Sequence, residues 1–579
     1  MKLQSSKLTF ALCAGYERLA AWSDLLDQIN VFPIADDDTG RNLRISLAPL
    51  RLFEGDRSRT ADRLLAAATG NSGNIAAGFF SGFLSVEPET DFAEAARTGR
   101  KRAWEAVTRP RAGTMLSAFD ALAEAAPSNE SGALLGALQK AVRSTAETLP
   151  AMRRAGVVDS GALGVYLFFE GFLAGAVGSE AHFPPLTETF AGLLRIADGF
   201  YADPSPRYCV DTVVMTEGGG PDPKAVFADL GESVVVLPGR AGVKIHLHTD
   251  RRREVRRRLE SMGRVLRWSD EAIIADLPAS RRRPPDGPVH VMTDAAGSVS
   301  RSVARDLSIT LLDSYLVFDD ATAPETLVDP ETLYSAMRSG RRVTTAQASV
   351  FERRQCYQSV LCRHRRVLYL CVGSVYTGNF QTASDWKRSH DPEDRFTVVD
   401  TGAASGRLAV ATLATARHAE GKCTPGEVSD FARQAIERSR EYLFLDRLKY
   451  LAAGGRLSKT SGFFGDLLGK KPIITPTAEG AVKAGIVGGA KEQLAFALDR
   501  LGSEFGDPST GLILIEHTDN RAWLEATVQP AVAARFAGAE IRLVPLSLTA
   551  GAHMGPGTWG VAFLPDAAGS ATARPGEGR

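Results

Sequence analysis

Apolar residues recur three and four positions apart through the first third of the chain, as in DFAEAARTGRKRAWEAVTR and SGALLGALQKAVRSTAETL. That spacing predicts helix after helix as far as about Leu194. Clusters of Gly, Asn, Asp and Ser interrupt it at 35–42, 70–74, 113–114 and 159–164 and read as turns that could gather at one end of a helical bundle. From Tyr208 to about Leu277 the pattern changes to short β-branched runs, VDTVVM, SVVVLP and VKIHLHT, around one basic helix, RRREVRRRLESM, which predicts a small α/β unit. The stretch ASRRRPPDGP reads as a linker. Beyond it, strand-like VHVMTD, VLYLCVGS and FTVVDTG alternate with helical GRLAVATLATARHAEG, a pattern that predicts α/β architecture with parallel sheet. The last dozen residues, rich in Gly, Ala and Pro, are expected to be disordered.

Length agrees with this division, because 579 residues exceed the roughly 250–300 at which a single core stops growing. Domains are expected at 1–200, 205–278 and 288–566. Equal counts of basic and acidic residues, 68 and 68, argue against nucleic acid as the main partner, since phosphate backbones select clustered Lys and Arg. No apolar run reads as reaching the ~18 residues of a bilayer span, and the first residues do not resemble a signal peptide. The expectation is a cytoplasmic protein with no integral membrane segment and at most transient membrane contact. Six cysteines without a CxxC pair fit a reducing compartment, and all but Cys209 read as ordinary buried residues. In the basic helix Val255, Leu259 and Met262 share one face, so the arginines between 251 and 258 read as the solvated side of a packed helix.

Three places carry candidate chemistry. Asp36, Asp37 and Asp38 stand together between two predicted helices; adjacent carboxylates repel unless solvated or occupied by a cation, and hard oxygen ligands in a tight turn suit Mg²⁺. Taken alone, the stretch is equally an exposed acidic loop. In GNSGN, Gly70 and Gly73 allow backbone amides to approach an anion and Ser72 offers a hydroxyl before an apolar helix, the arrangement in which a helix N-terminus receives phosphate or is simply capped. The sequence contains no GxxxxGK[ST], which excludes a P-loop. In VKIHLHTD, His246 and His248 alternate onto one face of a strand, and Cys209 on the preceding strand YCVDTVV offers a third ligand of the kind transition metals prefer. GPGTWG near the end fits G-x-G-x-x-G in letters only, because a strand-like VAFLP follows it instead of a helix; AHMGPG reads as a tight turn presenting His553.

INVFPIADDDTGRNL, ATGNSGN, GTML and VVDSGALG resemble, in this order, the motifs of the DhaL-type ATP domain of dihydroxyacetone kinase and of the catalytic subunit of bacterial fatty acid kinase, and the NVFP form is similar to the latter branch. The resemblance covers about residues 5–195 and implies an antiparallel helical barrel that binds ATP with two Mg²⁺. It implies Asp36, Asp38 and Asn30 as metal ligands, Thr39, Asn42 and Ser72 as phosphate contacts, and Gly113, Thr114 and Asp159 near the nucleotide. Where that family usually has Gly, this chain has Asp37. The segment from YCVDTVVM to KIHLHTD is similar to the middle domain of the same catalytic subunit, which implies a functional cluster of Cys209, His246 and His248 that either binds a metal such as Zn²⁺ or assists phosphotransfer.

HVMTDAAGS, VTTAQAS, GSVYTGNFQTA, VVDTG, LKYLAAGGRLS, KKPIITPTAEG and AHMGPG occur in the order of the DegV family, over about 289–564. That resemblance implies a two-lobed α/β fold holding a fatty acid between its lobes. A buried alkyl chain is stabilised by ~0.8 kcal/mol per CH₂, and its carboxylate needs donors. The resemblance implies Thr345 and Thr377 as hydroxyl donors, with His553 and Arg456 to offset the charge. Departures are Ala346 for Ser, Asn379 for Thr and Gly488 for a common Arg. The fold class expected for the whole chain is multidomain: an all-α DhaL-like barrel, a small α/β middle domain and a two-lobed α/β DegV-like domain. The function expected is a fatty acid kinase acting on a protein-bound fatty acid with ATP, as a homodimer or within one chain. The alternatives are a lipid-delivery protein with a regulatory nucleotide domain and a small-polyol kinase of the dihydroxyacetone type.

Overall fold

The computed structural model describes residues 5–86, 91–128, 130–178, 183–202, 206–216, 222–240, 242–273, 287–319, 321–453, 470–505 and 510–565. Arg456, most of the expected linker and the C-terminal tail lie outside the described residues. The chain divides into two compact units, 1–284 and 285–579.

In the N-terminal unit, the helices Ser5–Ala20, Thr39–Arg51, Gly70–Leu84, Phe92–Ala106, Met115–Ala125 and Ser160–Val177 pack in sequence, and the last returns to the first, closing a ring. Phenylalanines fill its interior: Phe79 stacks on Phe119 at 4.0 Å between centroids, and Phe80 meets Phe168 at 4.5 Å. Ser160–Val177 corrects the reading that no apolar run approaches a bilayer span, since by length and composition it qualifies. Every residue from Ser160 to Leu173 is buried in the bundle, so the apolar run is that of a core helix.

Two of the expected turns are instead first helical turns. Gly70–Leu84 begins at GNSGN and Ser160–Val177 begins at SGALG. Their small residues serve helix contact: a Cβ on Gly73 would stand 2.1 Å from Ser46 Oγ, and one on Gly164 would stand 2.6 Å from Leu43 Cδ1.

The sheet of this unit contains strands β1 (Tyr208–Thr216), β2 (Glu232–Gly239), β3 (Gly242–Thr249) and β4 (Gly263–Ala272), in the order β2-β3-β1-β4. Strand alternation sorts it into two faces. Val210, Val214, Ile245 and Leu247 pack with Val255 and Leu259 of the basic helix Arg252–Met262, as its apolar stripe predicts. Cys209, Asp211, Lys244, His246 and His248 fall on the other face, in register across β1 and β3 as Cys209↔His248 and Asp211↔His246. That face meets the helical ring through Gly70 and Asn74, while β2 joins it by a bridge between Val235 and Val107.

The C-terminal unit has two larger sheets. The first is parallel, in the order Phe396–Asp400, Val367–Cys371, His290–Asp294, Thr310–Leu312. The second, of six strands in the order Gly480–Val487, Lys471–Thr477, Arg440–Phe444, Trp559–Pro565, Gly511–His517, Glu540–Pro545, is antiparallel except for its last pair. This corrects the expectation of parallel sheet throughout. The reason is local: Thr477 pairs Gly480 in a tight hairpin, with Gly480 at φ 113°, so adjacent strands return directly without a crossover helix. A three-stranded sheet, Ala321–Pro324, Ser314–Phe318, Val343–Gln347, completes the unit. Cys356 and Cys371 are buried, whereas Cys13, Cys362 and Cys423 are partly exposed, against the reading of all five as buried.

Candidate functional site

The acidic turn is built by a substitution of caps. Asp38 occupies the N-cap position of helix Thr39–Arg51, where an Asp ordinarily accepts from the first amides of its helix, yet it makes no such bond. The carboxylate of Asp27 takes that place, its Oδ1 accepting from Gly40 N at 2.6 Å and Arg41 N at 3.1 Å. Asp38 is thereby released toward Asp36. Burial, then each other's presence, holds the Asp36 carboxyl well above the usual range, and burial likewise raises Asp38. Asn30 Nδ2 donates to Asp36 Oδ1 at 2.7 Å, and Asn30 Oδ1 is buried with no hydrogen-bond partner among the described residues. Two crowded carboxylates and an unsatisfied amide oxygen form the hard, oxygen-only donor set that Mg²⁺ takes, so these residues fit the metal. Asp37 adopts φ 57°, the left-handed conformation native to glycine and tolerated by Asp.

Around this turn the other expected residues take distinct places. Thr39 is buried, its Oγ1 accepting from Ser160 Oγ at 3.1 Å. Asn42 is buried and bonds Asp38. Ser72 is half-buried in the first turn of Gly70–Leu84. Gly113 has φ 81°, and Thr114 caps helix Met115–Ala125, accepting from Leu116 N at 3.3 Å. Asp159 caps Ser160–Val177, and burial pushes its carboxyl up to about 7.

The helix N-terminus at Gly70 already has an anion. Asp211 of β1 accepts from Gly70 N at 3.0 Å through Oδ2 and from Asn74 Nδ2 at 3.0 Å through Oδ1. The same carboxylate lies 3.2 Å from Lys244 Nζ and 3.3 Å from His246 Nδ1. Burial alone would raise its pKa, but His246 and Lys244 hold it far below the ordinary carboxylate range. Beside it, Cys209, His246 and His248 bring their donor atoms within 4.8 Å of one another, with Cys209 Sγ 3.9 Å from His246 Nδ1. His246 Nε2 and His248 Nδ1 are buried and unpartnered among the described residues. Burial keeps His248 neutral, and burial with the nearby Asp211, Asp38 and Asp36 raises the Cys209 thiol. Two orphaned imidazole nitrogens and a thiol fit a zinc-type ion. Asp27, Asp211 and Lys244 are absent from the residues expected from sequence; the signal for the last two was their even spacing from Cys209 and His246 along alternating strands.

In the C-terminal unit a cavity of about 140 Å³ lies among Ala296, Val372, Leu443, Ile474, Ala481 and Met554. Thr345, Thr377 and His553 all line it, and Thr345 Oγ1 lies 3.0 Å from His553 Nε2. His553 is in the last turn of helix Leu548–Met554, just before the turn at Gly555. Of the departures, Ala346 lines the cavity, whereas Asn379 is buried beneath it, donating to Asp294 at 2.9 Å and accepting from Arg353 at 2.9 Å. Gly488 donates its backbone N–H to Glu492.

Residues 288–566 match the family described as "Uncharacterised protein, DegV family", and residues 54–174 match the DAK2 domain. The chain is therefore a fusion of a helical DAK2, or DhaL-type, domain to an α/β DegV domain. A Staphylococcus epidermidis protein named only as uncharacterized is 30% identical over 291 residues, 43% of this chain and 51% of its own. A second Staphylococcus epidermidis protein is 27% identical over 52% of this chain and 61% of its own, so the chain spans little more than half the length of these relatives. A DegV domain-containing protein of Streptococcus pyogenes is 26% identical over 47% of this chain and 96% of its own. Among solved structures, a DegV family protein from Thermus thermophilus titled for fatty acid binding is similar with TM-score 0.45 and 21% identity, covering 48% of this chain and 99% of that one. DegV of Bacillus subtilis, titled a fatty acid binding protein, is similar with TM-score 0.45 and 20% identity, over 48% and 100%.

Proposed function

We propose that this chain is a fatty acid kinase: the DegV domain holds a fatty acid with its carboxylate at Thr345, Thr377 and His553, and the helical domain transfers the γ-phosphoryl of ATP to it. The observation that carries this reading is the presence, in one chain, of a turn with two crowded, half-buried carboxylates and an unsatisfied amide oxygen, and of an apolar cavity with a hydroxyl and an imidazole 3.0 Å apart on its wall.

A carboxylate is already a nucleophile at pH 7, so no strong general base is needed. One carboxylate oxygen forms a bond to the γ-phosphorus, the bond to the bridging oxygen of ADP breaks, and no proton changes hands. Asp36, Asp38 and Asn30 hold Mg²⁺, which supplies neutralisation of the charge that develops on the phosphoryl oxygens. Thr39, Asn42 and Ser72 contact the phosphates, and Gly113, Thr114 and Asp159 border the nucleotide. In the lipid site, Thr345 and His553 orient the carboxylate so that one oxygen is presented. Cys209, His246 and His248 are assigned to a zinc-type ion beside the phosphoryl site.

Incubation of the full chain with ATP, Mg²⁺, oleate and hydroxylamine tests this. The expected product is oleoyl hydroxamate in step with ADP. Turnover of dihydroxyacetone without hydroxamate would replace the reading with the polyol kinase, and bound lipid without either product would leave a delivery protein.

A further inference from the structure

We infer that Asp211 is a positioning residue: it holds His246 with the proton on Nδ1, so that Nε2 is the ring's bare donor atom, and it ties that ring to the N-terminus of helix Gly70–Leu84. This rests on the reading of Cys209, His246 and His248 as a metal cluster.

An ionised carboxylate accepts only, and offers about four lone-pair sites. Five polar neighbours crowd them here, Thr69 Oγ1 at 3.5 Å from Oδ2 among them. Oδ2 faces Gly70 N at 3.0 Å and His246 Nδ1 at 3.3 Å; Oδ1 faces Asn74 Nδ2 at 3.0 Å and Lys244 Nζ at 3.2 Å. Amide, ammonium and carboxamide can only donate to it, so the site is matched to an anion and the imidazole edge that meets it carries hydrogen. The opposite nitrogen, Nε2, is buried and without a partner among the described residues, while Cys209 Sγ lies 3.9 Å from the Nδ1 side of the ring. Ligating histidines commonly donate their second N–H to a carboxylate, which fixes the tautomer and raises ligand basicity. Lys244, only 4% exposed, offsets the carboxylate's charge at that depth. Gly70 has φ 65° and no room for a side chain, because a Cβ there would stand 1.9 Å from Asn42 Nδ2. Asn42 in turn bonds Asp38. A continuous path thus runs from His246 through Asp211, Gly70 and Asn42 to the acidic turn.

The test is long-range ¹H–¹⁵N NMR on full-length chain with ¹⁵N-labelled histidine, the His246 signals assigned by loss in His246→Gln. The expected spectrum shows Nδ1 protonated and Nε2 bare or metal-bound, and Asp211→Asn redistributes the proton between the two nitrogens. Competition of a chelator for added zinc is the second arm, with a 10–100-fold weaker hold expected in Asp211→Asn. A His246 protonated on Nε2 in the parent, or an Asp211→Asn chain that retains zinc as the parent does, overturns the inference; if neither chain takes up zinc, the tautomer alone decides. Absence of acyl phosphate in the parent would remove the kinase reading and leave both arms standing.

Discussion

The acidic turn and the lipid cavity solve opposite problems. The turn concentrates charge in a half-buried place: Asp36 and Asp38 are raised by burial and crowding, and Asn30 Oδ1 beside them is buried without a partner among the described residues. The cavity withdraws charge, surrounding an apolar volume with Ala, Val, Leu and Ile and limiting polarity to hydroxyls, the Gln347 carboxamide and one imidazole. A site of the first kind fails when one atom is changed, because an unpaired buried charge is costly. A site of the second kind tolerates single changes, because its stabilisation is spread over many carbon contacts.

Substitutions separate the two kinds. Asp38→Asn is expected to lower acyl phosphate formation on the order of 10³-fold, the scale of losing a group that offsets phosphoryl charge, while oleate bound per chain is unchanged. Rate by hydroxamate trapping and lipid by mass spectrometry of an organic extract check both halves.

Next in size is a pH effect inside the lipid-binding unit. Burial pushes Glu325 up to about 8 from 4.5, with Asp313 and Asp294 adding to the shift, while Thr549 N donates to it at 2.8 Å. Its folded value lies above its unfolded one, so the stability that goes with the neutral acid is complete below pH 4.5 and is lost as pH rises toward 8. Glu325→Gln, which keeps an acceptor for Thr549 and cannot ionise, is expected to reduce the loss between pH 5 and pH 8 by about 3 kcal/mol in denaturant melts. Equal slopes in the two chains would remove Glu325 as the source.

Thr345→Val removes one donor to a carboxylate and nothing from the apolar wall. Oleate affinity by equilibrium dialysis is expected to fall about 10–100-fold, the ~1.5–3 kcal/mol of a hydrogen bond to a charged group, with ATP binding unaffected. The smallest effect is expected at Arg256, 56% exposed and, among the described residues, paired with Glu260 four residues on and with the Trp268 ring. Arg256→Ala should change stability by less than about 0.5 kcal/mol and leave turnover intact, since the basic helix is a solvated face over Val255 and Leu259.

Periodicity made the helical ring, the basic helix and the strand pair that carries Cys209 and His246 legible, because each depends on spacing along one segment. The first-turn glycines were misread as breakers, since only packing against Ser46 or Leu43 distinguishes a glycine that ends a helix from one that lets a neighbour approach. Ser160–Val177 was undervalued for the same reason: its glycines divide the apolar run on paper but not in space. Asp27 and Asp211 escaped because their roles are long-range. Asp27 is one of two acids in SDLLDQIN until it is seen to cap Gly40 and Arg41, and Asp211 lies 141 positions from the Gly70 amide it receives. The antiparallel pairing of most of the large sheet was hidden by strands whose composition does not record direction.

The most direct test of the account uses oleate labelled with ¹⁸O in both carboxylate oxygens, incubated with the full chain and Mg-ATP and followed by ³¹P NMR. The account predicts an acyl phosphate whose phosphorus resonance carries the isotope shift of one bridging ¹⁸O, formed in step with ADP. ADP and unlabelled phosphate without a phosphorylated lipid would contradict it.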